Sequence, residues 1–395
     1  MISKNRHFMR AAAFGALLLA CTWLLSGCAF IPVKSAGAYF KDLYRRIPYH
    51  REGDYRVINI FYATTRAAEK RDDQSIYFTN KLGDSMTFGQ MSVRMDSRIK
   101  IGTMLPRQLK RRGVIGVQNV DKKDKEALMR ELNEAVQASP HKSLLVLIFG
   151  YQDNFESTAI KAGYFSYLLD VNTPILLFDW PGDQAFSVSG YKEAFSMAEK
   201  SGPRLGELLT MIIREVKPQK LWVKSSSMGC QVVCDGFDYM YKQPDLADNE
   251  TEIAHLIMAA PDVGQDDFDK QFKDELSALS EKVTVYVSSN DTALLISGII
   301  NDSARLGRQD VKHEQMDEAK DMLYLKSLAP DKVNLIDVTP INDASYKHGY
   351  YLESPEFYDD FYLRLFDAGP KVNRRLYLFK CENNVDYWVM ESGNK

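Results

Sequence analysis

From Lys125 to Phe366 the chain repeatedly exchanges two hydrophobic rhythms, and this alternation restricts the possible folds more than any other feature. Continuous apolar runs, "SLLVLIFG", "TPILLFDW", "KLWVKS", "IAHLIMAAPD", "KVTVYVSSND" and "VNLIDVT", are separated by stretches of helical periodicity. A strand that is apolar at nearly every position is buried on both faces, as in parallel sheets covered by helices. "KDKEALMRELNEAVQA" has the complementary pattern, with Ala127, Leu128, Leu132 and Val136 at helical spacing. Further helices are predicted around Glu156–Leu169 and Tyr191–Arg214, from Met228, over "DFDKQFKDELSALS" and "ALLISGIIN", and as a closing helix at "SPEFYDDFYLRLFDA". Strands joined by crossover helices predict an α/β fold, a doubly wound and mostly parallel sheet with helices on both faces. Upstream, "VINIFYATTRA" and "MTFGQMSVRM" read as extra N-terminal strands, antiparallel at one edge.

The N-terminus has a different character. A basic "MISKNRHFMR" precedes the apolar "AAAFGALLLACTWLL", about 15 residues long and too short for a comfortable membrane span. It ends in "LSGC", Leu25 to Cys28, which resembles the lipobox of bacterial lipoproteins. The resemblance implies a signal peptide over residues 1–27, cleavage before Cys28, and lipidation of that thiol and of its amine. Two or more acyl chains, each CH₂ contributing roughly 0.8 kcal/mol, anchor durably where one does not. Ala29 follows the cysteine, as in lipoproteins sorted to the Gram-negative outer membrane. The alternatives are an uncleaved signal anchor or a plain secretory signal. Residues 28–56 then form a tether, and residues 57–395, without repeat or low-complexity linker, one domain.

The charge balance excludes one class of partner. The formal charge is −3, and loss of Lys4, Arg6 and Arg10 with the signal leaves 47 basic against 53 acidic residues, −6. An acidic body without a basic stripe gives no basis for nucleic-acid binding. Of the five cysteines, Cys21 leaves with the signal and Cys28 is the lipidation site; Cys230 and Cys234 stand one helical turn apart, and Cys381 is alone. No Cys/His cluster suggests a metal. No feature of the sequence bears on oligomeric state.

"KSSSMGC", Lys224 to Cys230, follows the strand "KLWV" and precedes a helix. That is the setting of a nucleophile elbow, in which a tight turn between strand and helix exposes a serine, here Ser227. Small flanking residues are needed because backbone packs on backbone; Ser225 stands at the first glycine position and Gly229 keeps the second. The helix N-terminus and the Met228 amide would face a developing oxyanion. A base should follow in a loop after the last strand, and "INDASYKHGYY" offers His348 there. His255, mid-strand, reads as a core histidine, and His313, in a charged run, as a surface one. Two carboxylates end strands between serine and histidine. Asp291 in "SSND" is the preferred acid, with Asp262 in "AAPD", also suited to a helix cap, as the alternative. The loop "FGYQDNF" supplies Gly150 and the Tyr151 amide as the second oxyanion donor. Phe149, Trp180 and Tyr350 suit apolar substrates but are read as core packing.

Taken together, "FYATTR" (Phe61–Arg66), "FGYQDNF", "DWPG" (Asp179–Gly182), "SSSMGC", "AAPDV" (Ala259–Val263), "SSNDTAL" (Ser288–Leu294) and "HGYY" (His348–Tyr351) resemble an uncharacterised bacterial family of α/β-hydrolases with esterase/lipase-like motifs. Its members show "YATxR", "HGYNxxF", "WPS", "AHSMGN", "APD", "SxxDxAL" and "HxYY" in the same order. The resemblance implies the α/β-hydrolase fold, with Ser227, Asp291 and His348 as a triad. Two positions depart from the pattern: a histidine before the nucleophile is Ser226 here, and a histidine before the loop glycine is Phe149. The expected activity is a membrane-anchored serine hydrolase acting on a small-molecule or lipid carboxylic ester through an acyl-enzyme, without cofactor. The alternatives are a non-catalytic envelope lipoprotein that keeps the fold as a binding or scaffold module, and acyl transfer in place of hydrolysis.

Overall fold

The structure is a computed structural model that describes residues 49–70, 76–99, 106–246, 251–308, 332–366, 375–380 and 386–392. The signal, Cys28, most of the tether, His313 and Cys381 lie outside the described residues, all of which belong to one compact unit.

The apolar runs form the central strands. β1 (His50–Glu52), β2 (Tyr55–Lys70), β3 (Ile76–Asp96), β4 (Ile115–Lys123), β5 (Ser143–Ile148), β6 (Ile175–Asp179), β7 (Lys220–Ser226), β8 (His255–Ala259), β9 (Val283–Val287), β10 (Val333–Asp337), β11 (Leu376–Lys380) and β12 (Asp386–Met390) build one sheet. Its order is β11-β12-β10-β9-β8-β7-β5-β6-β2-β3-β4, with β1 paired to β2. β5 to β10 are parallel, β2 joins β6 in parallel, and β3 and β4 add antiparallel strands at that edge. The N-terminal pair is therefore where the sequence predicted it, although pairing begins at His50, inside the stretch read as tether. Several elements differ from expectation: β1, β4 and the short helix Pro106–Arg111 were not predicted, and the helix over Pro355–Leu365 is not the last element, since the hairpin β11–β12 extends the opposite edge alongside β10.

Alternating side chains divide the core. Leu144, Val146 and Ile148 face the helices Lys125–Ala138 (α2), Val188–Met211 (α4), Gly229–Tyr241 (α5) and Lys273–Leu279 (α6). Leu145, Leu147 and Phe149 face Pro106–Arg111 (α1), Phe155–Leu169 (α3), Tyr350–Glu353 (α8) and Pro355–Leu365 (α9). Thr292–Asn301 (α7) follows β9. Asp124, Asn154 and Ser187 cap α2, α3 and α4 by accepting the third amide beyond them, as short polar side chains do at helix starts.

A β-bulge at Arg66 turns its guanidinium inward beneath the loops at the carboxyl ends of the strands. Nε donates to Asp179 Oδ2 at 2.7 Å and Nη2 to the Asp153 carbonyl at 2.7 Å, while Nη1 reaches Thr79 O and pairs with Asp183. Asp179 also accepts from Thr64 and Thr158. One buried cation thus joins the "FYATTR", "FGYQDNF" and "DWPG" segments.

Candidate active site

β7 ends at Ser226, and Ser227 occupies the turn before α5 with φ +54°. A non-glycine residue in the left-handed region is strained and needs support from its surroundings. The Ser227 amide donates to Ala259 O at 3.0 Å, and its carbonyl accepts from the Cys230 and Asp262 amides. Met228, fully buried, is the residue preceding the first turn of α5. The tightness expected of the turn is present: a Cβ on Gly229 would lie 2.5 Å from the Phe149 carbonyl oxygen. A Cβ on Gly150 would lie 2.6 Å from Ser227 Cβ and 3.0 Å from its Oγ, so the Gly150–Tyr151 loop lies directly against the serine. The Tyr151 hydroxyl donates to Ala185 O and the Gln152 amide to Gly182 O, which holds that loop to the segment after β6.

Asp291 and His348 meet. His348 Nδ1 stands 2.7 Å from Asp291 Oδ2, with the carboxylate fully buried and the imidazole side chain 18% exposed. Asp291 Oδ1 accepts the Leu294 amide at 2.9 Å and so caps α7. Burial disfavours the imidazolium, but the Asp291 charge and hydrogen bond outweigh it, and the His348 pKa is raised above its ordinary value. The loop that carries the histidine is strained, with Tyr346 and Lys347 both at positive φ. Asn342 Nδ2 donates to Lys347 O and to Ser288 Oγ, and Thr292 Oγ1 donates to Tyr346 O. The loop that carries His348 is thereby fastened to the loop that carries Asp291. Among the described residues the Ser227 hydroxyl has no hydrogen-bond partner. With the serine 8% exposed, its Oγ is the unengaged member of the set.

Asp262 is placed elsewhere. Its carboxylate accepts from Tyr191 at 2.8 Å and Ser297 at 2.5 Å, and Arg305 Nε lies 3.3 Å away. The helix-cap role that suited Asp262 in the sequence belongs instead to Asp291. His255 is a core histidine whose Nε2 meets Thr284 Oγ1 at 2.8 Å. Phe149, Trp180 and Tyr350 are buried, and the Trp180 indole donates to Phe149 O at 2.8 Å. The Tyr350 hydroxyl accepts from the Ala260 amide and donates to Tyr286 O. Cys230 and Cys234 are buried free thiols, pushed up by burial. Among the described residues no His, Cys, Asp and Glu side chains cluster as metal ligands, and no helix is long and apolar enough to cross a membrane.

Residues 122–365 match the model of a family described as alpha/beta hydrolase of unknown function (DUF900). The chain belongs to this family. The parallel strands β5 to β10 and the helices α2 to α9 fall within the matched residues. No curated protein matches the chain. Solved structures similar to this DUF900 chain include PEG-bound and zinc-bound forms of a novel cold-adapted esterase from an Arctic intertidal metagenomic library. They are 8% and 9% identical, cover 80% and 81% of this chain and 99% and 100% of theirs, and have a TM-score of 0.36. An uncharacterised protein from Capnocytophaga ochracea DSM 7271 is 9% identical over 71% of this chain and 60% of its own, with a TM-score of 0.31.

Sequence reasoning gave no role to Lys224, which meets Ser226 at the end of β7, or to Asn342, which donates to Lys347 O in the histidine loop. Lys224 opens the segment "KSSSMGC" and Asn342 lies in "INDASYKHGYY", but neither is a residue type that a Ser-His-Asp pattern calls for at its position.

Proposed function

We propose that this α/β-hydrolase is a serine hydrolase of carboxylic esters. His348 Nε2 takes the proton from Ser227, Asp291 orients the imidazole and stabilises its charged form, and the Met228 and Tyr151 amides receive the oxyanion. Water then releases the acyl-enzyme. No metal enters this scheme. The observation that carries it is the 2.7 Å pairing of His348 with Asp291, in the loops beside a serine strained at φ +54°. Hydrogen bonds between nucleophile and base are often long before substrate binds.

A fluorophosphonate probe provides the test. Stoichiometric labelling that is lost in Ser227→Ala, together with loss of short-chain ester hydrolysis, is the expected result. Full activity in Ser227→Ala would rule the assignment out. The partnerless Ser227 hydroxyl favours a second reading, a non-catalytic module that keeps the fold, and absence of any adduct on Ser227 would select it.

The lipobox "LSGC" supports a lipid anchor at Cys28 and residence in the bacterial envelope, at the outer membrane, with small-molecule or lipid esters as substrates. Metabolic palmitate labelling that disappears in Cys28→Ser is expected; unchanged labelling would exclude the anchor.

A further inference from the structure

The two positions that depart from the family pattern, Phe149 and Ser226, meet at one side chain. Lys224 lies within β7, fully buried, and its Nζ donates to Ser226 Oγ at 3.1 Å. The same nitrogen stands 4.6 Å from the ring centroid of Phe149, 4.4 Å from that of Tyr351 and 5.3 Å from that of Phe165. Among the described residues no carboxylate pairs with it. The titratable groups facing it are the Cys230 thiol from α5, the Lys161–Asp153 pair from α3 and the loop before it, and the Tyr351 phenol from α8, itself bonded to Ser226. Burial lowers the amine from 10.5 to about 7. A lysine enclosed by aromatic rings without a counter-ion costs stability, and an apolar side chain of similar length would fill the same box at lower cost. Side chains that cost stability beside a reactive group are a common trade for activity. The segments gathered here are those that carry the proposed oxyanion donor, nucleophile and base.

We propose that Lys224 is a positioning residue whose amine binds the Phe149 loop, the Ser226 end of β7 and the Tyr351 helix together, and so aligns Ser227 with His348. This rests on the serine-hydrolase reading. The charged amine attracts the faces of the Phe149 and Tyr351 rings, whereas the neutral amine keeps only its hydrogen bond to Ser226. The grip loosens as pH rises through about 7, while His348 gains competence as a base in the same direction. The wild-type profile is therefore a bell whose alkaline limb belongs to Lys224.

The test is Lys224→Met in the full-length chain. At neutral pH kcat is expected to fall roughly tenfold with KM little changed, and the alkaline limb to vanish. The thermal midpoint is expected to rise, and to rise most below about pH 7. There the folded amine is charged at a cost. Between about 7 and 10.5 only the unfolded chain holds that proton, so the wild type recovers stability as pH rises. Activity lost while stability is gained is an outcome that a merely structural lysine does not give. An unchanged kcat at every pH, or activity that falls only together with the midpoint, overturns the proposal. Ser226→Ala, a milder change, is expected to lower kcat a few-fold and move the alkaline limb; an unchanged profile counts against the proposal. If the wild type neither hydrolyses esters nor labels at Ser227, it is the hydrolase reading that fails. The downfield Nδ1–H proton resonance of His348 then still reports on alignment: Lys224→Met shifts or broadens it, and an unaltered resonance overturns the positioning role.

Discussion

Asp291 divides its two carboxylate oxygens between different partners, one holding the His348 ring and the other capping α7. Asparagine also caps helices well, so Asp291→Asn is expected to leave the thermal midpoint nearly unchanged. The same variant should lower kcat by roughly two to four orders of magnitude, because the charge that stabilises the imidazolium is gone. The acid limb of kcat/KM gives a second measure. His348 must be neutral to act as base, and its pKa is raised by Asp291, so activity rises with pH above the ordinary histidine range. In Asp291→Asn that midpoint moves to lower pH. Asp262→Asn makes a different prediction, a loss of about 1–3 kcal/mol in urea unfolding from the disturbed Tyr191–Ser297–Arg305 network, with the acid limb moving less than in Asp291→Asn because Asp262 raises His348 by its charge alone. The sequence left these two acids open because both end a strand before a helix. Distance along the chain does not reveal which carboxylate faces the histidine loop and which turns towards α4.

At the scale of elements, the central strands were legible because burial on both faces leaves nearly unbroken apolar runs. The edges were not. β4 carries exposed polar residues over "NVDK", and β11 exposes Tyr377 and Leu378, so neither shows the signature of a buried strand. Lys224 was passed over for the reverse reason: a cation inside a strand reads as an outward-facing position, and only the aromatic box around it shows otherwise. The elbow was readable because the turn demands small residues on both sides, and that demand extends to the neighbouring loop. Gly150→Ala places a methyl group 2.6 Å from Ser227 Cβ. Its kcat is expected to fall roughly a hundredfold with an unchanged far-ultraviolet spectrum, because a small displacement of reacting groups is enough to lose that much.

Across the whole molecule, the sheet collects its loops at one end and Arg66 fixes three of them from below. Arg66→Met would leave Asp179 buried without its partner, and a loss of about 3–5 kcal/mol in urea unfolding is expected. Such a loss would show that the three loops share one foundation. A further consequence follows from the cap on α7. The same carboxylate that steadies the imidazole starts a helix of ten residues, Thr292–Asn301, which leaves Ile296 and Ile299 facing water. If that short helix frays on warming, the base loses its support while the rest of the sheet stays intact. Inactivation by heat should then precede global melting, and Ile296→Pro, mid-helix at an exposed position, should silence the chemistry from a distance.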